Sequence, residues 1–417
     1  MKKVVFILFG FLLMAEGALA ESCGKDCEYS LEDGILTIWG TGAEGAGSII
    51  KAPWIGENVT SITIRDGITY VGNAVFNNMK EVTQLTLPQT LEVIGYSAFS
   101  GMSGVTGELH IPASVTSIGA YAFSGMSGIT GTLEIPPSAS VAYGAFSGMK
   151  GLTGEIRIPE TWTSIPGQLF AGTSGVTSVV IPESVTEIGG EAFKNMFALT
   201  SVNIPEGVAT IGRSAFWMTY SVTGELHIPE GITSIPNGAF YGMGNITGEI
   251  KIPEGVTTIG VQAFTGMKGI TGELRIPDSV TSIGMQAFYG WSGITSLVIP
   301  DGVSEIGSDA FASVNVSNIT CSEDNLRLYF QVGGKLTSDA KIVCTSGTCE
   351  EALKGTKYEH LMANIDYPLR EIKQPDGSLA IYRHGKLVGF KNKRIYTVEE
   401  AESLSKPTRN RFKIRYK

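Results

Sequence analysis

The sequence predicts a repeat solenoid, in which coils of 23–24 residues stack and share one core. Three observations carry this. Proline closes a short apolar strand at 88, 112, 136, 159, 182, 205, 229, 253, 277 and 300, in steps of 23 or 24 residues. Phenylalanine follows nearly every such proline eleven residues on, from Phe99 to Phe311, with Phe146 one residue early and Phe76 opening the series. Glycine makes up 53 of the 417 residues, and 37 of those lie between 63 and 321, where each coil needs its corners. Arg65 holds the proline slot of a first, degenerate unit, so about eleven repeats fill residues 61–321. Hydrophobic residues at 43 % suffice for such a core, and the lack of a Gly-X-Y period excludes collagen.

From the N-terminus, Lys2 and Lys3 precede an apolar run over 4–14, and Ala18-Leu19-Ala20 supplies a small-x-small cleavage pattern. Residues 1–20 therefore read as a secretion signal whose apolar part is too short to span a bilayer. Export follows, to the medium or the cell surface, with the periplasm as the alternative, and the mature chain is expected to have no transmembrane segment. In an oxidising compartment the local pairs Cys23–Cys27 and Cys344–Cys349 read as disulfides, leaving Cys321 over. Zinc is the rival for these cysteines, but no His lies at ligand spacing, and no metal or cofactor is expected.

Within a coil, the apolar-x-apolar tripeptide before proline, as in Leu109-His110-Ile111, has the period of a strand with its apolar pair facing in. Proline has no N–H to give and ends the ladder. It is placed at the second position of a turn such as Ile252-Pro253-Glu254-Gly255. A V-T-x-I-G segment follows, as at 115–119, then Ala-Phe, then in many coils a methionine three residues past the Phe (Met102, Met126, Met149). Stacking aligns the phenylalanines into an aromatic spine with methionine alongside.

The repeat L-x-I-P-x-x-V-T-x-I-G-x-x-A-F-x-x-M resembles the BspA-like (Treponema pallidum-type) leucine-rich repeats of bacterial and some protist surface proteins, over about 260 residues. Those repeats often carry Cys where this chain has Met. The resemblance implies a leucine-rich-repeat coil, a curved solenoid with a parallel β-sheet on its concave face, and adhesion to host proteins or other cells. Residues 29–54, with Asp33-Gly34 between two short apolar runs, Gly40-Thr41-Gly42 and Pro53-Trp54, look like that family's N-terminal β cap. Residues 21–60 are therefore assigned to a cap that shields the first coil's apolar face and open edge.

Since the apolar pair faces in, the residue between them and the one before them face out, onto the surface that the resemblance makes concave. Candidate binding residues there are Glu108, His110, Glu134, Glu155, Arg157, Asn203, Glu225, His227, Glu249, Lys251, Glu273 and Arg275. Spaced i and i+2, Glu155 and Arg157, Glu249 and Lys251, and Glu273 and Arg275 are expected side by side. The result is a charge-striped groove for a protein or a glycan; a solvated face kept soluble by its ion pairs is the alternative. A weaker aromatic candidate is Trp217, Tyr241 and Tyr289, one residue past the Phe, with Trp291 nearby and Tyr220 on the same loop. Such rings suit glycan stacking or a protein contact if exposed, and packing between coils if not.

Residues 322–417 read as a C-terminal cap and a small, basic α+β module. Ser322-Glu323-Asp324-Asn325 starts a helix into 326–332, a second short helix lies around 350–353, a hairpin joins 378–382 to 386–390, and 398–405 is helical. From 370 to 417 there are 13 Lys+Arg against 5 Asp+Glu, a net +8, which leaves −17 on residues 1–369 of a chain totalling −9. That balance excludes a generic nucleic-acid binder. The basic end suits an anionic envelope component such as lipopolysaccharide or a glycan polymer, or it neutralises the acidic solenoid.

Catalytic constellations are missing from the sequence. His110 and His227 hold like slots five coils apart, about 24 Å at ~4.8 Å per coil, too far to share a metal or a proton. No G-x-S-x-G, H-E-x-x-H or Walker sequence occurs. The function expected is that of an exported, non-enzymatic binding protein acting in surface adhesion, with a structural envelope protein held by its basic end as the alternative.

Overall fold

The computed structural model describes residues 21–41 and 47–367 and, beyond them, strands over 370–373, 379–383 and 386–391. The secretion signal at 1–20 and the helix expected at 398–405 lie outside the described residues. The fold is a parallel β-solenoid in two compact units, residues 1–162 with 166–182, and residues 163–165 with 183–417.

The first unit begins as an antiparallel meander of Glu21–Gly24, Cys27–Glu32 and Ile35–Gly40. Asp33 and Gly34 both take left-handed φ, 45° and 81°, the signature of a two-residue hairpin turn. The last strand of the meander pairs in parallel with Ser61–Ile64, which pairs in turn with Gln84–Thr86. The cap thus converts an antiparallel edge into the first rung of the parallel ladder. Trp54 is fully buried and stacks on Phe76 at 5.1 Å, taking the place of a coil phenylalanine. Its indole N–H donates to the Val75 carbonyl at 3.2 Å, so the large ring costs no unpaired donor. The spine then runs through Phe99, Phe123, Phe146 and Phe170, with successive centroids 5.3–5.9 Å apart and rings near parallel. A second ladder of two-residue strands, Val93–Ile94, Ser117–Ile118 and Ser140–Val141, comes from the x-I step of V-T-x-I-G.

The corners follow from local chemistry, with one correction. The N–H groups of Val115 and Val256 donate to the carbonyls of Pro112 and Pro253, both at 3.0 Å. Proline is therefore the first residue of the turn, as in Pro253-Glu254-Gly255-Val256, and not the second. Its ring removes the N–H that the ladder would use, while its carbonyl remains free to accept. On either side of the phenylalanine the backbone turns left-handed, at Ser97 (φ 50°) and Gly101 (φ 74°) around Phe99. The second of these positions explains the recurrent glycine after Phe. Glycine in V-T-x-I-G answers a different need: at Gly119 a Cβ would lie 2.6 Å from the backbone of Gly95 in the coil before.

The second unit repeats this plan. Phe193, Phe216, Phe240, Phe264, Phe288 and Phe311 stack at 5.2–5.7 Å, and Tyr329 lies 5.6 Å from Phe311. The ladder does not stop with the last Pro–Phe unit. Ile294–Val298, Asn315–Cys321, Lys335–Cys344 and Ile365–Asp366 pair in parallel in that order. Helix α1 (Glu323–Gln331) and the short α2 (Cys349–Leu353) replace the phenylalanine turn in these coils. As expected, α1 starts at Ser322, whose Oγ accepts from the Asn325 N–H at 3.1 Å. Leu379–Arg383 and Lys386–Lys391 form the expected hairpin, and Arg370–Lys373 adds a third antiparallel strand that the sequence reading lacks. Among the described residues no helix is long and apolar enough to cross a membrane.

Cys23–Cys27 and Cys344–Cys349 are disulfides, while Cys321 is free and fully buried. Burial pushes the Cys321 thiol far above the usual range. The reactive thiolate is thereby suppressed. Iodoacetamide at about pH 8 is expected to leave Cys321 unlabelled in the folded protein and to label it fully in denaturant, read by mass spectrometry. Equal labelling in both states would show that the last coils open readily.

Candidate functional site

In the first unit Glu108, His110, Glu134 and Arg157 are exposed and Glu155 is half-buried. In the second unit Asn203, Glu225, His227, Glu249, Lys251, Glu273 and Arg275 are exposed. Their strand neighbours Leu109, Ile156, Leu226, Ile250 and Leu274 are buried, so the alternation read from the sequence places these side chains outward.

Their pairing differs from expectation. Arg157 meets Glu155 at 2.5 Å, but Lys251 bonds Glu230 rather than Glu249, and Arg275 lies 3.6 Å from Asp278 rather than beside Glu273. His227 likewise sits 2.5 Å from Glu206. Glu206 and Glu230 directly follow Pro205 and Pro229, in the coil before the residue they bind. His227 and Lys251 therefore lean back across the ladder to the acid after the preceding proline. Where that slot holds Gln89 or Pro137, His110 and Arg157 turn to Glu108 (3.9 Å) and Glu155 of their own strands. Arg275 is the exception, taking the acid after its own proline.

The acids lean the other way. Glu108, Glu225 and Glu249 lie over Gly131, Gly248 and Gly272 of the next coil, where a Cβ would meet them at 3.0, 3.2 and 2.5 Å. This direction takes Glu249 away from Lys251. Glu155 and Glu273 accept from the hydroxyls of Ser178 and Ser296 in the following coil, at 3.3 and 3.2 Å. The hydrogen bond that Lys251 donates to Glu230 holds the pKa of its ammonium above the usual range. Exposed pairs of this kind add little to stability. They do set the direction in which each long side chain points. In the first unit a shallow cavity of about 500 Å³ is lined by Thr132, Glu134, Glu155 and Arg157, and another of about 120 Å³ by Glu108, His110, Thr132 and Glu134.

The aromatic candidates divide. Trp217 and Tyr241 are half-buried and stack face to face at 3.9 Å, whereas Tyr289 is 42 % exposed. Trp291 is not a surface ring. It is fully buried and its indole N–H donates to the Phe264 carbonyl at 2.7 Å. Standing three residues past Phe288, it occupies the methionine slot, and the core takes it. The sequence reading missed the stripe of Tyr96, Tyr121 and Tyr143, and had Tyr220 without its partner Phe197. Tyr96, Tyr121 and Tyr143 meet edge to face at 6.2 and 5.6 Å, and Phe197 stacks on Tyr220 at 5.9 Å. Tyr96, Tyr143, Phe197 and Tyr220 are all exposed. Recurrence at a near-constant offset from the spine was the available signal. Among the described residues no three His, Cys, Asp or Glu side chains converge to hold a metal ion.

A profile of the BspA type leucine-rich repeat region, six copies long, matches residues 53–153, 106–223, 139–271 and 221–331, a continuous two thirds of the chain. The chain belongs to the BspA-type leucine-rich repeat family. Solved structures similar to this BspA-type protein include a leucine-rich cell surface protein from Faecalibacterium prausnitzii A2-165, 23 % identical over 84 % of this chain and 95 % of that one, with a TM-score of 0.46. A leucine-rich repeat protein from Bacteroides ovatus ATCC 8483 is 20 % identical over 76 % of this chain and 97 % of its own, at a TM-score of 0.50. The pneumococcal vaccine antigen PcpA is 17 % identical over 86 % of this chain and all of its own, at 0.48. At these identities the likeness concerns the fold of BspA-type repeats alone. No curated protein is significantly similar in sequence.

Proposed function

We propose that this BspA-type protein is exported, non-enzymatic and adhesive, and that it takes a protein or glycan ligand on the outward strand face. The observation that carries this reading is the charge array itself. Glu108, Glu225 and Glu249 lean forward over glycines, and His227 and Lys251 lean back to the preceding turn, so these side chains are set against a neighbouring coil, while His110, Arg157 and Arg275 pair within their own. A face ordered before a ligand arrives loses less conformational entropy on binding and presents a fixed pattern of charge. Membership of a repeat family with surface relatives supports it. The same reading assigns 1–20 to an export signal, 21–60 to the cap, 61–321 to the binding solenoid and 322–417 to the basic module.

The test is a binding array of host matrix proteins and mucins, followed by charge reversal. For a ligand captured by the array, His110→Glu with Arg157→Glu in the first unit, or Lys251→Glu with Arg275→Glu in the second, is expected to weaken binding about tenfold or more while the melting temperature stays put. Capture of nothing above background, or ligands indifferent to both variants, would sink the reading.

A further inference from the structure

We propose that the last coils of the second unit hold a separate binding site for an acidic saccharide. An open cavity of about 460 Å³ lies there, walled by Ser313, Asn315, Lys335, Ser338, Lys357 and His360. Leu336 and Tyr358 complete its lining. The ladder builds it. Asn315 and Lys335 are register partners on adjacent parallel strands, and the 3₁₀ turn Glu359–Asn364 brings His360 beside them.

Its parts are held. The Ser338 carbonyl can only accept, so the His360 Nε2 that lies 3.0 Å from it donates, and the imidazole is anchored. Tyr358 is buried against Phe330, its ring stacked at 5.0 Å, and its hydroxyl accepts from the Leu336 N–H at 3.3 Å. The Lys357 ammonium stands 4.8 Å from the centre of the Tyr358 ring. In a chain of net charge −9, this cavity gathers two ammonium groups with no carboxylate in its lining. The two acids next in sequence are engaged elsewhere: Asp339 accepts from the Thr337 hydroxyl at 2.9 Å and Glu359 from the Gly355 N–H at 3.2 Å.

Each part of the lining matches one part of a sulfated or carboxylated sugar. The ammonium groups answer its anion. Two serine hydroxyls and an amide answer its hydroxyls. Leu336 and Tyr358 are largely buried and leave only a small apolar edge in the floor for a C–H group of the sugar. Small-ligand pockets run to roughly 300–1,000 Å³, and a bare inorganic anion would need neither this volume nor an apolar floor. The site stands apart from the strand-face array, so either can fail without the other.

The full chain should be titrated calorimetrically with a sulfated, uronate-containing tetrasaccharide, with the neutral N-acetylglucosamine tetramer, and with inorganic sulfate. Saturable one-site binding of the acidic tetrasaccharide is expected, with the neutral sugar about a hundredfold weaker and sulfate at least about tenfold weaker. Lys335→Ala with Lys357→Ala should weaken it about thirtyfold or more at an unchanged melting temperature. Ser338→Asp, which sets a carboxylate at the rim, should weaken it as well. No measurable binding overturns the proposal, as does an affinity indifferent to the lysine pair, which would place the ligand on the basic end at 370–417. Equal binding of the neutral sugar removes the anion requirement, and equal binding of sulfate removes the saccharide.

Discussion

Phe240→Ala is expected to cost the second unit about 3–5 kcal/mol, among the largest losses available to one side chain in this protein. Phe240 is fully buried and stacks on Phe216 at 5.7 Å and on Phe264 at 5.5 Å, with rings within 9° of parallel. Truncation removes both stacking partners' neighbour and leaves a cavity that two coils border and that rigid ladders on either side prevent from closing. Since a solenoid is stabilised by nearest-neighbour terms, the damage should be local. Urea unfolding should show the lower midpoint, and hydrogen exchange should show amides around 216–264 losing protection first. Phe240→Leu, which keeps most of the volume, should cost markedly less. A midpoint unchanged by Phe240→Ala would mean that the spine does not hold the coils together.

Gly212→Ala is expected to cost about 3 kcal/mol or more, although it adds a single methyl group in an ordinary region of φ. A Cβ there would lie 2.2 Å from the backbone nitrogen of Gly190 in the neighbouring coil. Because the clash is with main chain, relief requires the coils to part, and the 2.7 Å bond from the Gly212 N–H to the Ile188 carbonyl would go with them. Gly231→Ala is the control. The nearest atom to a Cβ at that glycine is 3.6 Å away, so the change should be neutral or stabilising by up to about 1 kcal/mol. Similar thermal midpoints for the two variants would refute the close-packing account of the V-T-x-I-G glycine.

The coil was legible because its markers are chemical necessities at fixed spacing: a proline that ends a ladder, a phenylalanine that fills a core, a glycine where backbones touch. The fold beyond Cys321 was less so. There helix α1 performs the task of the phenylalanine turn, and a ladder of hydrogen bonds between main chains leaves no sequence signature of its own. On the strand face, facing out is a matter of period and could be read. Which acid each cation selects is a matter of side-chain direction, so Lys251 had to be seen to bond Glu230. Trp291 was misplaced by attention to ring type over position, since its offset from Phe288 already put it in a core slot. The cavity around Lys335 and Lys357 draws on three irregular coils and had no pattern to betray it.

Because His227 and Lys251 each bond the post-proline acid of the coil before, the unit between them is not chemically complete alone. The segment that carries His227 and Glu230 gives a donor to Glu206 behind it and an acceptor to Lys251 ahead of it. A gene segment encoding one whole unit of this kind therefore carries both halves of the junction rule. Unequal recombination between two of them would lengthen or shorten the protein with these two kinds of pair still matched, whereas a break inside a unit strands one partner. A junction that falls between whole coils thus disturbs these pairs least.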